Sequence, residues 1–112
     1  MARIGGNILG KVLTKQKSGT NEIGETILDW QPKYSIKGWL GMQTGDSPRN
    51  NYNAKLEEST HVFLCDYHSG IYSLADKDVR MEIKGKMYDV MYIDNPDEMD
   101  EQLEIYLKKV GA

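Results

Sequence analysis

The sequence predicts a mostly-β fold: a small, single-domain antiparallel β-barrel or sandwich of about six strands, with a long loop after the early strands. Three observations carry that expectation. Val79, Met81 and Ile83 alternate with Arg80, Glu82 and Lys84, the period of a strand with one wet face. Short apolar runs at Thr26–Trp30, Tyr34–Met42 and Val62–Tyr67 are separated by clusters of turn formers. At 112 residues, the chain suits one domain, spanning 1–112, that buries roughly two-thirds of its unfolded surface.

In chain order, residues 1–7 read as a flexible N-terminus, and Ile8 to Leu13 as the first apolar segment. The polar run Lys15 to Asn21 reads as a turn or loop, with Gly24-Glu25 as a second turn signal. Thr26 to Trp30 reads as a strand stopped by Pro32, which has no N–H for a ladder. In Tyr34 to Met42, Tyr34, Ile36, Gly38 and Leu40 share one face and Trp39 takes the other. Gly38 and Gly41 suggest a bulge or bend there. Gln43, Thr44, Gly45, Asp46, Ser47, Pro48, Arg49, Asn50, Asn51, Tyr52 and Asn53 show neither period, so they read as a long exposed loop. Loops of that length are uncommon in small domains and tend to be either functional or disordered, which makes this one the candidate working part.

The second half is more regular. Val62 to Tyr67 is apolar on both faces, as a central strand requires, and Ser69-Gly70 ends it. Lys84-Gly85 reads as a two-residue hairpin turn with Gly85 at positive φ. That turn sets Val79 opposite Val90, Met81 opposite Tyr88 and Arg80 opposite Asp89, which matches apolar pairs inside and a charge pair outside. The hairpin of Val79, Arg80, Met81, Ile83, Gly85, Tyr88, Asp89 and Val90 is the expected scaffold. In the last segment, Met99, Leu103, Tyr106, Leu107 and Val110 fit a helical stripe, while Leu103, Ile105 and Leu107 fit a strand. Pattern alone leaves both open.

Composition narrows the function. A formal net charge of −3 supplies no basic field for a nucleic-acid backbone. The lone cysteine, Cys65, excludes an internal disulfide and points to a reducing cytoplasm. Met1 to Gly10 lacks the apolar run of a signal peptide, and no stretch approaches the ~18 apolar residues of a membrane helix. The expectation is a soluble protein with no membrane contact.

Gly5 to Lys11 has the spacing of a phosphate-binding loop, G-x-x-x-x-G-K. Only four residues precede Gly5, however, and Val12 stands where the magnesium-binding hydroxyl belongs. His61, Cys65 and His68 suggest a metal site, but alternation puts His68 on the other face and a fourth ligand is missing. Cys65, set among Val62, Phe63 and Leu64, lacks the cationic setting of a reactive thiol. The acids Asp94, Asp97, Glu98, Asp100 and Glu101 lack calcium-loop spacing and read as a solvated turn. No catalytic residue, cofactor or metal is expected.

The order of these features resembles the head–tail joining family of tailed bacteriophages and prophages, also called head closure, stopper or head completion proteins. The resemblance rests mainly on Thr60-His61-Val62, then Asp78-Val79-Arg80, the Gly85-Lys86 turn and Tyr88-Asp89-Val90. Gly24-Glu25, Trp30 and Gly38-Trp39-Leu40 agree more weakly. The resemblance implies a structural, non-enzymatic β domain that forms a homo-oligomeric ring beneath the portal and adaptor. Such a ring closes the DNA channel and presents a docking surface to the tail completion protein. The isolated protein could still be a monomer, and channel DNA would lie nearby without sequence-specific binding. It further implies assembly in the host bacterial cytoplasm, residence in the virion neck, strand at Leu103 to Lys108, and a loop matching Gln43–Asn53 that points into the channel. A second reading, from another class, is a small β-barrel module that binds single-stranded nucleic acid.

Overall fold

The computed structural model describes residues 5–42 and 60–110. Its six strands are β1 (Ile8–Thr20), β2 (Thr26–Met42), β3 (His61–Asp66), β4 (Val79–Ile83), β5 (Lys86–Asp94) and β6 (Gln102–Lys109). Neighbouring strands are antiparallel, and the sheet closes into a barrel in the order β1-β2-β3-β6-β5-β4. Closure removes the open edges that a small sheet would otherwise expose. A one-turn helix, α1 (Ser69–Tyr72), lies between β3 and β4, and a tight turn at Pro96–Glu98 joins β5 to β6.

A barrel of so few strands has room only for its own side chains. Phe63, Met81, Ile83, Leu103, Ile105, Leu107, Val12 and Cys65 fill it, each almost wholly buried. Phe63 is the bulkiest, and two inward glycines make space for it. A Cβ on Gly38 would stand 2.8 Å from the Phe63 ring and collide with the Leu64 carbonyl. A Cβ on Gly10 would reach within 3.3 Å of the same ring and collide with the Met81 methyl. Gly38 is therefore a site of close approach and not the bulge expected of it: β2 keeps register with β1 and β3 through Gly38 and with β3 through Gly41.

The β4–β5 hairpin has the expected register. Arg80 faces Asp89, Met81 faces Tyr88 and Ile83 faces Lys86. Lys84 and Gly85 have φ of 52° and 76°, so both central residues, not Gly85 alone, are left-handed, as a type I′ turn requires. Val79, Met81, Ile83 and Tyr88 are buried and Val90 packs on the core. The ladder between the two strands begins at Arg80, and Val79 pairs instead with Thr14 of β1. Past Val90 a register shift at Met91 turns Ile93 inward. The open question at the C-terminus resolves to strand: β6 places Leu103, Ile105 and Leu107 in the core by strict alternation.

Two local expectations are corrected. The polar run Lys15 to Asn21 is strand as far as Thr20, because it pairs with β2 down to Thr20 opposite Thr26. The real turn is Asn21–Glu25. There the Asn21 Oδ1 accepts the Ile23 and Glu25 N–H groups at 3.1 and 2.9 Å. Pro32 does not end its strand either: β2 runs through it, with a register shift next to Pro32 that leaves Lys33 unpaired with β1. At Pro32 the side of β2 away from β1 is a free edge, since β2 meets β3 only from Gly38 onward, and an edge strand is where proline is tolerated. β3 has ended before Ser69-Gly70, as expected, and there His68 caps α1, its Nδ1 accepting the Ile71 N–H at 3.1 Å. Ile71 and Leu74 are buried in the core cluster.

Candidate partner-binding site

The expected working loop, Gln43–Asn53, lies outside the described residues. Its two roots are placed. Met42 and His61 are direct partners at one end of the barrel, so the chain leaves and returns at adjacent antiparallel positions. The same end collects the start of β1, the Lys84-Gly85 turn and the end of β6. The β1–β2 turn, α1 and the 95–101 turn gather at the opposite end.

The returning root is firmly held. Thr60 donates its N–H to the Leu107 carbonyl at 2.7 Å, and its Oγ1 shares a 2.9 Å hydrogen bond with His61 Nδ1. The His61 ring stands edge-on to Tyr88 with centroids 5.2 Å apart. Tyr88 belongs to the β4–β5 hairpin and is itself buried. The hairpin thus touches the loop's root through a defined aromatic contact.

On the outer face of that hairpin, Arg80 Nε lies 3.0 Å from Asp89 Oδ1. Both side chains are part-exposed, so the pair contributes about 0.2–1 kcal/mol. Arg80 also lies over the Trp30 ring, 4.7 Å from its centroid, and Lys15 approaches the same ring at 5.3 Å. Trp30 therefore clips the hairpin to the β1–β2 pair.

The residues weighed for other chemistry have structural surroundings. Cys65 is fully buried, and burial, then the neighbouring Asp66 charge, pushes its thiol up to about 12. His68 Nδ1 is occupied by the α1 cap, and its ring packs on Tyr34 at 4.8 Å. Among the described residues, no three His, Cys, Asp or Glu side chains converge as metal ligands. Gly10 and Lys11 lie inside β1, a strand where a phosphate-binding loop needs a helix. The acidic turn is held by Asn95, buried, whose Nδ2 donates to Asp100 Oδ1 at 2.8 Å. No helix among the described residues is long and apolar enough to cross a membrane.

Two surface features escaped the sequence reading. The β1–β2 pair continues past the barrel: β1 meets β4 only from Gly10 to Thr14, so Lys15 to Gln31 form a two-stranded arm. Ile23, Ile27 and Leu28 are exposed on it. At the other end of the same strands, Leu9 and Trp39 are about half exposed. A strand with both faces wet has no apolar alternation to betray it. The available signal was that Thr26–Trp30, read as strand, needed a partner.

Among the described residues the sheet is a closed six-stranded barrel, with the two roots of the 43–59 segment at one end and the two-stranded arm at the other. The sequence profile of the phage head completion protein family matches residues 11–110, and the chain belongs to that family of phage structural proteins. No curated protein matches the sequence significantly. The fold is similar to the solution structure of protein SF1141 from Shigella flexneri 2a, with a TM-score of 0.70 and 16% identity, covering 99% of this chain and 98% of that one. It is also similar to a chain from the virion of a native gene transfer agent particle, with a TM-score of 0.56 and 15% identity, covering 95% and 96% of the two chains.

Proposed function

We propose that this protein closes the head of a tailed phage or prophage: it forms a homo-oligomeric ring beneath the portal and adaptor, and the Gln43–Asn53 loop obstructs the DNA channel. The ring also offers a docking surface to the tail completion protein. The carrying observation is the rooting of the loop. Met42 and His61 are paired within a closed barrel, and the Thr60–Leu107 and His61–Tyr88 contacts fix the point of return. A loop held at both ends by a rigid scaffold can be aimed at a partner, whereas a loop on a loose frame cannot. Family membership and the virion setting of one structural neighbour support the neck as the location. The β4–β5 hairpin serves as scaffold in this reading and makes no direct contact with DNA. The rival reading, a module for single-stranded nucleic acid, gains no support from the family.

Deleting Gly45 to Tyr52 tests the proposal. The expected result is an unchanged thermal transition for the isolated protein, together with heads that package DNA and then leak it or fail to join tails. Wild-type yields of infectious or DNA-filled particles would contradict it.

A further inference from the structure

The arm and the Leu9 patch lie at opposite ends of the same pair of strands. At ~3.3 Å per strand residue, Leu9 and the Asn21–Glu25 turn stand on the order of 35–40 Å apart. The arm tip therefore cannot reach the patch within one chain. Each is an apolar centre in a charged frame, and the frames have opposite sign. At the tip, Ile23 is 79% exposed and shares a five-residue turn with the acids Glu22 and Glu25. The tip is also pre-shaped. Asn21 holds both ends of the turn, its N–H donating to the Glu25 carbonyl at 2.9 Å and its carbonyl accepting the Gly24 N–H at 3.0 Å. At the other end an open groove of roughly 330 Å³ is lined by Asn7, Ile8, Leu9, Lys11, Lys84 and Gly85, with Glu82 the one acid among the described residues on its wall. Lys37 lies directly across the strand pair from Leu9 and adds a further positive charge.

We propose that the acidic, Ile23-bearing tip of one copy seats in the lysine-rimmed Leu9 groove of the next copy. This inference rests on the ring reading and names the contact that builds it. Two different, mutually complementary patches on one chain make a head-to-tail contact, which generates closed rings when the rotation closes. Edge-to-edge strand pairing along the arm could not run on into the barrel, because Pro32 and Lys33 interrupt the free edge of β2 just beyond it. The docking is by side chains, apolar at the centre and charged at the rim.

The test uses particles assembled with full-length protein carrying Leu9→Cys and Ile23→Cys together, exposed to a mild oxidant. Cys65 does not compete, being fully buried. The expected result is a ladder of disulfide-linked oligomers up to a closed ring, absent when either cysteine stands alone. A dimer from Ile23→Cys alone would show tip-to-tip contact and overturn the inference. Protein that enters the neck as a ring but gives no ladder would overturn the arm contact while leaving the ring intact. Protein absent from the neck would overturn the ring reading itself. Independently, Glu22→Lys should lower incorporation by about an order of magnitude, and Lys11→Glu with Lys37→Glu should restore it. Failure of that rescue counts against the contact.

Discussion

Phe63 and the two glycines facing it set how tightly the barrel can close. With no space for a Cβ at Gly38, Gly38→Ala should displace the ring and cost about 1–3 kcal/mol, measurable as a lowered denaturant midpoint with unchanged slope. A midpoint equal to that of the wild type would show that the interior has slack. Cys65 supports a second prediction at this scale. Burial and Asp66 favour its neutral form, so its folded pKa, about 12, lies above the ordinary 9.0. The sign follows: its contribution is complete below about 9, and it falls as pH rises from there towards 12, because the unfolded thiol ionises first. Cys65→Ala should therefore flatten the alkaline loss of stability relative to wild type. In the native protein near neutral pH, Cys65 should also resist thiol reagents until the chain unfolds.

At the scale of elements, what the sequence disclosed depends on where water lies. The β4–β5 hairpin could be read to the residue because one face is wet and one dry, and its turn chemistry admits few registers. Arg80 against Asp89 and Met81 against Tyr88 follow from that alone. β6 was ambiguous because Leu103 and Leu107 satisfy two periods at once, with Tyr106 completing a helical stripe and Ile105 a strand face. Its place between β3 and β5, a matter of topology, decided for strand. The first strand of the arm was read as loop because Lys15, Gln16, Lys17 and Ser18 carry no apolar alternation. A two-stranded ribbon of this kind gains little from its own burial. Replacing residues 17–28 by a short turn should consequently leave the barrel's thermal transition close to wild type while abolishing assembly. Loss of the fold in that variant would show that the arm stabilises the domain. Gly85→Ala addresses the other hairpin: with φ at 76° it should cost about 1 kcal/mol, read from the unfolding midpoint.

For the whole molecule, closure of the sheet separates two ends with different content. One end carries the roots of the 43–53 loop, the Lys84-Gly85 turn and the Leu9 groove; the other carries the arm, α1 and the acidic turn. The 43–53 segment was singled out because its composition fits neither strand nor helix, and it lies outside the described residues. The groove and arm were not, because each becomes a surface feature only once β1 and β2 are paired along their full length. A neck ring follows if copies join arm to groove, and the loops then repeat around one axis. The measurement that bears most directly on this is electron cryomicroscopy of the head–tail junction in particles carrying the protein. The expected result is a closed ring between head and tail, with the 43–53 segment of every copy directed to the channel axis. A neck without this protein, or a ring whose 43–53 segments point outward, would contradict it.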